Sequence, residues 1–447
     1  MLIRLVISNF LSIGKECEFN MLPAPLKNHQ NHLHNIPAKR LKVLKGAAIY
    51  GSNGAGKSNI VKAIGFVQSM VLSGMIMPNV SRLKYKLDSD TNKKPTVFDI
   101  EFEWNKKFYA YHLELQDDII SEESLYELGF QKEDKVLFER TFNSRTQKIN
   151  VTIGGRKLYN KKNKMLSQLL ANNILDNGKI LLSNHAMFND AKISNAFSWF
   201  REGLQIILPE TVYPTIAKSL SDSSAFKNFA NGIITTLDTG VSQIGVNIMT
   251  FDEFFKQEDE MFKRQLIAQL NQTHGDIPVP LQNGTVLIAS IDDNKNYVIK
   301  KTVTYHKSSD NSDVSFDVNE ESDGTQRLLD IIPAIDFYLN KGTTVIIDEV
   351  DKSLHPSLLK AVMLKIMEST PANGGQFIVT THESNLLDYE IYRQDEIWFV
   401  EKHDGMTEIY PLTDFKPRAD LQIQKGYLMG RFGAVPFLAN LRDINWQ

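Results

Sequence analysis

A chain of 447 residues with 42% hydrophobic and 23% charged side chains is long enough for two or three lobes, and too apolar for wholesale disorder. A net charge of −3 and a pI near 6.4 exclude a protein that coats nucleic acid through bulk charge, so any DNA or RNA contact needs a local patch. The single cysteine, Cys17, excludes an intramolecular disulfide and a Cys-rich zinc site, and fits a cytoplasmic location.

The N-terminal MLIRLVISNF is apolar but too short for a signal peptide, and no run of about eighteen apolar residues follows, so no membrane segment is expected. Residues 2–8 read as an opening strand, 22–38 as a loop, and 43–50 as a short apolar strand ending at a glycine-rich turn. From Ser58 onward Ile60, Val61, Ile64, Val67, Met70 and Val71 recur at helical spacing. Residues 97–103 and 108–115 read as antiparallel strands, and 137–153 continues that character. Helical periodicity then dominates 162–200 and 251–272, which suggests an inserted, mostly helical lobe over 155–280 between head halves 1–154 and 281–447. The lobe is too short and irregular for long heptad arms. Strands return over 284–305, a polar loop spans 306–315, and helix and strand alternate from 320 to 412. The fully apolar runs 343–347 and 376–381 are expected as central parallel strands covered on both faces. The expected class is therefore α/β: a mixed central sheet with helices, an antiparallel β subdomain and the inserted lobe.

Gly51-Ser52-Asn53-Gly54-Ala55-Gly56-Lys57-Ser58 matches G-x-x-x-x-G-K-[ST] in a strand–turn–helix setting. Glycines let the backbone curl so that the N–H groups of Asn53, Gly54, Ala55, Gly56, Lys57, Ser58 and Asn59 can face phosphate oxygens. The helix aims its positive end at the same charge. Lys57 reaches the β and γ phosphates, and the Ser58 hydroxyl ligates Mg²⁺. The pattern implies ATP and Mg²⁺.

Thr344-Val345-Ile346-Ile347 ends in Asp348-Glu349. A buried strand can set its terminal carboxylate beside the cradle, so Asp348 is assigned to the metal and Glu349 to polarising the attacking water. His382, at the end of the next apolar strand, is assigned to the γ phosphate and that water. The run Glu320 to Arg327 opens an apolar helix; read from its residues alone, Ser322 is a helix N-cap, with Ser322 and Gly324 as an alternative anion seat. His29, His32 and His34 read as a solvated loop rather than a metal site. Lys39, Arg40, Lys42 and Lys45 read as the exposed face of a strand rather than a nucleic-acid contact. Trp199, with Phe197 and Phe200, reads as helix core.

These blocks, in this order, resemble the ABC-type ATPases of the SMC/RecF/OLD group, and within it OLD-like "AAA family" ATPases of bacterial antiphage and abortive-infection systems. The opening Ile7-Ser8-Asn9-Phe10, the block Ile120 to Tyr126 and the late segment Tyr427-Leu428-Met429-Gly430-Arg431-Phe432-Gly433-Ala434-Val435-Pro436 carry the resemblance further. It implies a head-to-tail dimer with ATP between the subunits, Ser322-Asp323-Gly324 as a degenerate signature touching the partner's ATP, Asp351 to Pro356 as the D-loop, and His382 as the switch histidine. Two features depart from the group. Gln68 lies too early for the Q-loop, and too few residues follow His382 for a Toprim nuclease domain.

The function expected is an ATP-hydrolysing switch subunit that forms a homodimer or higher homo-oligomer and controls a separate effector, a nuclease or toxin, in antiphage defence. The alternative is a RecF/SMC-like ATPase acting directly on DNA in repair or DNA-end sensing. A transporter motor is disfavoured by the signature, and an ATP-holding scaffold by the intact Asp348-Glu349 pair.

Overall fold

The computed structural model describes residues 1–36, 40–129, 133–154, 161–210, 216–237, 239–255, 259–273, 275–281, 286–418 and 422–435. Lys39 and Pro436 lie outside them. The chain forms two compact units, one of Met1–Leu208, Tyr338–Asp351 and Lys360–Gln447, the other of Pro209–Phe337 and Lys352–Leu359.

The first unit contains two large sheets. One is antiparallel, in the order Lys148–Ile153, Lys135–Asn143, Ile119–Glu127, Lys107–Gln116, Thr96–Trp104, Leu2–Ser8, Cys17–Asn20. Its strands alternate because one face is covered: Thr96–Trp104 buries Phe98, Ile100 and Phe102 and leaves Asp99, Glu101 and Glu103 partly exposed. The second sheet runs Leu204–Ile207, Thr344–Ile347, Gln376–Thr381, Gly46–Gly51, Ile397–His403, Met406–Pro411; only the last pairing is antiparallel. The three strands Thr344–Ile347, Gln376–Thr381 and Gly46–Gly51 are buried at every residue, the mark of parallel strands covered on both faces.

Gln376 joins the two sheets. Its amide donates to the carbonyls of Leu2 (2.9 Å) and Leu44 (3.0 Å), and its oxygen accepts from Leu2 N (2.5 Å) and Thr344 Oγ1 (3.1 Å). A fully buried amide with every bond satisfied specifies one docking of the sheets, since a shift would orphan it. The helix Lys57–Ser73 buries Ile60, Val61, Ile64, Val67, Met70 and Val71, and stops at Gly74, whose φ of 79° lets its N–H reach Met70 O at 2.9 Å.

Glu123 and Arg140 are a buried pair in the antiparallel sheet. Glu123 accepts from Leu181 N (2.7 Å), Leu182 N (2.9 Å) and the Tyr111 hydroxyl (3.0 Å). Arg140 donates to the carbonyls of Lys179 and Asp176, both at 2.6 Å. This network holds 176–182 on the first unit, and Leu181, Phe188, Trp199 and Leu204 complete that unit's core. Trp199 is fully buried and stacks on Phe102 at 4.2 Å, as helix core.

The second unit holds an antiparallel sheet in the order Gln243–Thr250, Tyr297–Lys307, Val286–Ile291, Ile277–Pro280, with Asp313–Asp317 also paired to Tyr297–Lys307. Helices Ile216–Asp222, Ser224–Thr236 and Asp323–Asp336 share a core around Leu220, Phe226, Ile234, Leu328 and Ile332. Helix Glu260–Thr273 packs Leu266 and Leu270 with Phe251, Leu287 and Ile299.

Several local expectations change. Helices predominate among the described residues of 161–280; those from 161 to 208 belong to the first compact unit, and the second unit's sheet runs on to Asp317. The expected loops at 22–38 and 306–315 contain strand pairings, Leu33–Ile36 with Leu41–Leu44 and Asp313–Asp317 with Tyr297–Lys307. The strand expected at 43–50 is two, Leu41–Leu44 and Gly46–Gly51, which pair in different sheets: Lys45 gives its N–H to His32 O at 2.9 Å and its carbonyl accepts from Phe377 N at 2.8 Å. No helix among the described residues is long and apolar enough to cross a membrane.

Candidate nucleotide site

The glycine loop connects the buried strand Gly46–Gly51 to the helix Lys57–Ser73. Gly54 and Gly56 have φ of 75° and 115°, which L side chains rarely adopt. Nothing lies within 4 Å of where a Cβ on Gly54 would stand, so its backbone faces open space. A Cβ on Gly56 would instead strike Thr407. Asn53 and Gly54 are exposed, Ala55 and Lys57 are buried, and Ser58 and Asn59 are half-buried at the helix start.

Lys57 Nζ donates to Gly51 O (2.8 Å) and Ser52 O (3.3 Å), and lies 2.9 Å from Nε2 of His382. Burial lowers its pKa to about 8 against the opposing fields of Asp351, Asp348 and Glu349. His382 is also held below its ordinary value, by burial first and then by the Lys57 cation, so the neutral imidazole accepts from the ammonium. Its backbone N–H points at the Asp351 carboxylate, 3.3 Å from Oδ1.

Asp348 is buried at the carboxyl end of Thr344–Ile347, its N–H bonded to Ile207 O at 2.8 Å. One hydroxyl orients both acidic residues: Thr380 Oγ1 donates to Asp348 Oδ1 (2.5 Å) and accepts from Glu349 N (2.8 Å). Glu349 has a φ of 50°, uncommon for a non-glycine residue and typical of strain kept at functional sites. Lys57, Asp348, Glu349 and His382 are thus gathered past the carboxyl ends of three neighbouring parallel strands, where α/β sheets bind ligands. The buried carboxylate of Asp348 and the hydroxyl of Ser58 are a hard oxygen set suited to Mg²⁺.

Sequence reasoning missed the brace behind the loop. Thr407 Oγ1 donates to Ala55 O (2.8 Å) and shares a 2.6 Å hydrogen bond with Ser12 Oγ, which accepts from Asn59 Nδ2 at 2.6 Å. Ser12 and Thr407 are 395 positions apart, and no local pattern marks either. Thr380 was missed for the same reason. Gln68 donates to Phe200 O and Leu204 O at 2.7 and 2.9 Å, a structural brace rather than a ligand contact.

In the second unit Ser322 caps the helix Asp323–Asp336, accepting from Thr325 N at 3.2 Å. Gly324 leaves no room for a side chain: a Cβ there would lie 2.8 Å from Ser353 O. The segments expected as signature and D-loop therefore pack against each other within one chain.

The histidine loop is solvated at Asn28, Gln30, Asn31 and Asn35, but its three rings are held. His32 is buried with Nδ1 3.0 Å from Glu396 Oε2, and its pKa is lowered to about 4 by burial, then by Arg393 and Lys45. His34 Nε2 lies 2.9 Å from Gly375 O and His29 Nε2 2.6 Å from Tyr389 O, so the three rings serve three separate partners. The expected exposed basic face is also incomplete: Arg40 and Lys42 are exposed, but Lys45 is 4% exposed.

The fold and the loop together define a P-loop domain of mixed α/β class. The family described as "AAA domain, putative AbiEii toxin, Type IV TA system" matches residues 47–388, more than half of the chain, and the chain belongs to this AAA-domain family. No curated protein matches it. Among solved structures, it is similar to an SMC head bound to the C-terminal winged-helix domain of ScpA, at 14% identity and TM-score 0.43, over 93% of this chain and 99% of that one. It is also similar to the SMC head domain from Thermotoga maritima, at 14% identity and TM-score 0.37, over 92% and 98%.

Proposed function

We propose that this protein binds ATP with Mg²⁺ at residues 51–58 and hydrolyses it, acting as a switch subunit of the OLD-like kind in antiphage defence. The observation that carries the reading is the meeting of Lys57 with His382, inside the field of Asp348, Glu349 and Asp351. Main-chain N–H groups of Asn53, Gly54, Gly56, Lys57 and Ser58 and the Lys57 ammonium would take the phosphates, whereas those of Ala55 and Asn59 donate to Ser52 O and Gly56 O. Ser58 and Asp348 would hold Mg²⁺, which supplies charge neutralisation on the phosphates. Glu349, held by Thr380, would polarise the attacking water, and His382 would hold that water against the γ phosphate. Ser322 and Gly324 of a second copy would close the site, so that ATP favours a homodimer and hydrolysis releases it, holding or freeing a nuclease or toxin. Direct action on DNA through residues 39–45 is the weaker reading, since Lys45 is buried.

The test is turnover with oligomer size. Glu349→Gln should abolish phosphate release while retaining ATP and accumulating dimers in light scattering. Lys57→Ala should lose nucleotide binding. Wild-type protein without ATPase activity would falsify the hydrolytic reading, and an unchanged oligomer distribution in Glu349→Gln would remove the dimer from it.

A further inference from the structure

We propose that a cation-lined pocket near the end of the described chain is a second phosphate-binding site, separate from residues 51–58. The pocket encloses about 620 Å³ and is lined by Lys416, Arg418, Gln422, Lys425 and Arg431, with Gly426 in its neutral wall. No carboxylate lines it among the described residues, and none of its four cations is in an ion pair with a described residue. The cluster stands in a chain whose acids outnumber its bases, 53 against 50. Cations close to carboxylates elsewhere are paired, as in Lys360–Asp388 at 2.7 Å and Arg393–Asp395 at 2.8 Å. Four like charges around one cavity repel one another, and a ligand carrying several negative charges relieves that repulsion.

The cations stand on a fixed base. Lys425 lies on the helix Ile423–Leu428, and Arg431 follows the turn that ends it, its N–H bonded to Gly426 O at 3.0 Å. Gly426 permits this closeness, since a Cβ there would meet the Phe432 ring at 2.9 Å. The rings of Tyr427 and Phe432 both stack on Phe399, at 5.6 and 5.7 Å, and Phe399 belongs to the buried strand next to Gly46–Gly51. The hydroxyls of Tyr427 and Tyr410 donate to Ala434 O and Phe432 O at 3.2 and 3.0 Å, while Glu401 accepts from Ala434 N at 3.0 Å. The backbone that carries Lys425 and Arg431 is therefore fixed before a ligand arrives, and binding has only their side chains left to order. This also gives a role to the segment Tyr427 to Val435, which the nucleotide site leaves unused. Guanidinium forks and ammonium groups together suit phosphate oxygens. The ligand is a short run of phosphates, carried by a polynucleotide strand or by a free polyphosphate.

The test uses the full chain with Lys57→Ala in every arm, so the result does not depend on whether residues 51–58 bind ATP. A fluorescent single-stranded oligonucleotide and tripolyphosphate are the probes, followed by anisotropy and calorimetry. Binding of either probe is expected, weakened about tenfold or more by Lys425→Glu with Arg431→Glu. The salt slope for the oligonucleotide should become shallower by about 0.7 for each strand phosphate left unneutralised. Tripolyphosphate binding that displaces the oligonucleotide assigns the free ligand; oligonucleotide binding that resists it assigns the polynucleotide. The milder pair Lys425→Gln with Arg431→Gln repeats the comparison if the charge reversal does not fold. Absence of binding to both probes, or equal binding by the altered pairs, overturns the proposal.

Discussion

The ammonium of Lys57 and Nε2 of His382 stand 2.9 Å apart, just past the carboxyl ends of two adjacent parallel strands. The contact links the glycine loop to the strand end whose histidine is expected to sense the γ phosphate.

His382→Ala should therefore separate binding from turnover. The expected outcome is a fall in kcat of about 100-fold or more, in the range of a lost proton-handling or water-orienting group, with nucleotide affinity nearly unchanged. Phosphate release and equilibrium nucleotide titration check it. An equal loss in both would assign His382 to ground-state binding instead.

Lys57 titrates near 8 in the folded chain because burial outweighs its three neighbouring carboxylates. An unfolded lysine holds its proton to about 10.4. Between these values the unfolded state binds more protons, so the stability contribution of this group rises with pH across that window. Below pH 8 the cost of burying the charged form is present in full. A triphosphate beside Lys57 favours its charged form, so above pH 8 ATP binding should take up a proton. Calorimetry in two buffers of different ionisation heat should show that uptake, and Lys57→Met should remove it.

Thr380→Val keeps the shape and removes the hydroxyl shared by Asp348 and Glu349. Leaving these buried groups without it should cost about 1–3 kcal/mol in denaturant unfolding. Turnover should fall with it, and Thr380→Ser should restore both. A Thr380→Val protein with full activity would show that the hydroxyl does not orient Glu349.

Glu123→Ala strips Arg140 of its carboxylate where both side chains have no exposed surface. Breaking a buried pair from one side costs about 3–5 kcal/mol, and Leu181 N and Leu182 N lose their acceptor as well. Denaturant unfolding should show the loss. A change below about 1 kcal/mol, the size expected of an exposed pair, would place this network outside the core.

Much of the candidate nucleotide site was legible because its determinants are local. A glycine pattern with positive φ at Gly54 and Gly56, an apolar strand before it and a 3.6-residue period after it all lie within residues 46–73. The apolar runs ending at Asp348 and His382 announced buried parallel strands in the same way. Of the histidine loop only His32 was misread, because three polar rings near one another suggest solvent, whereas its burial against Glu396 joins residues 364 positions apart.

By itself, the order of residues determined the strand, turn and helix of residues 46–73 and the apolar strands ending at Asp348 and His382, because backbone torsion and hydrophobic period act over a few neighbours. Tertiary structure alone decided that Thr407 and Ser12 brace the loop, that Thr380 aims both acids, and that the described residues from 161 to 208 complete the first unit. Those outcomes depend on which strands lie side by side and which buried polar groups must find partners there, a condition imposed by the packed sheets as a whole.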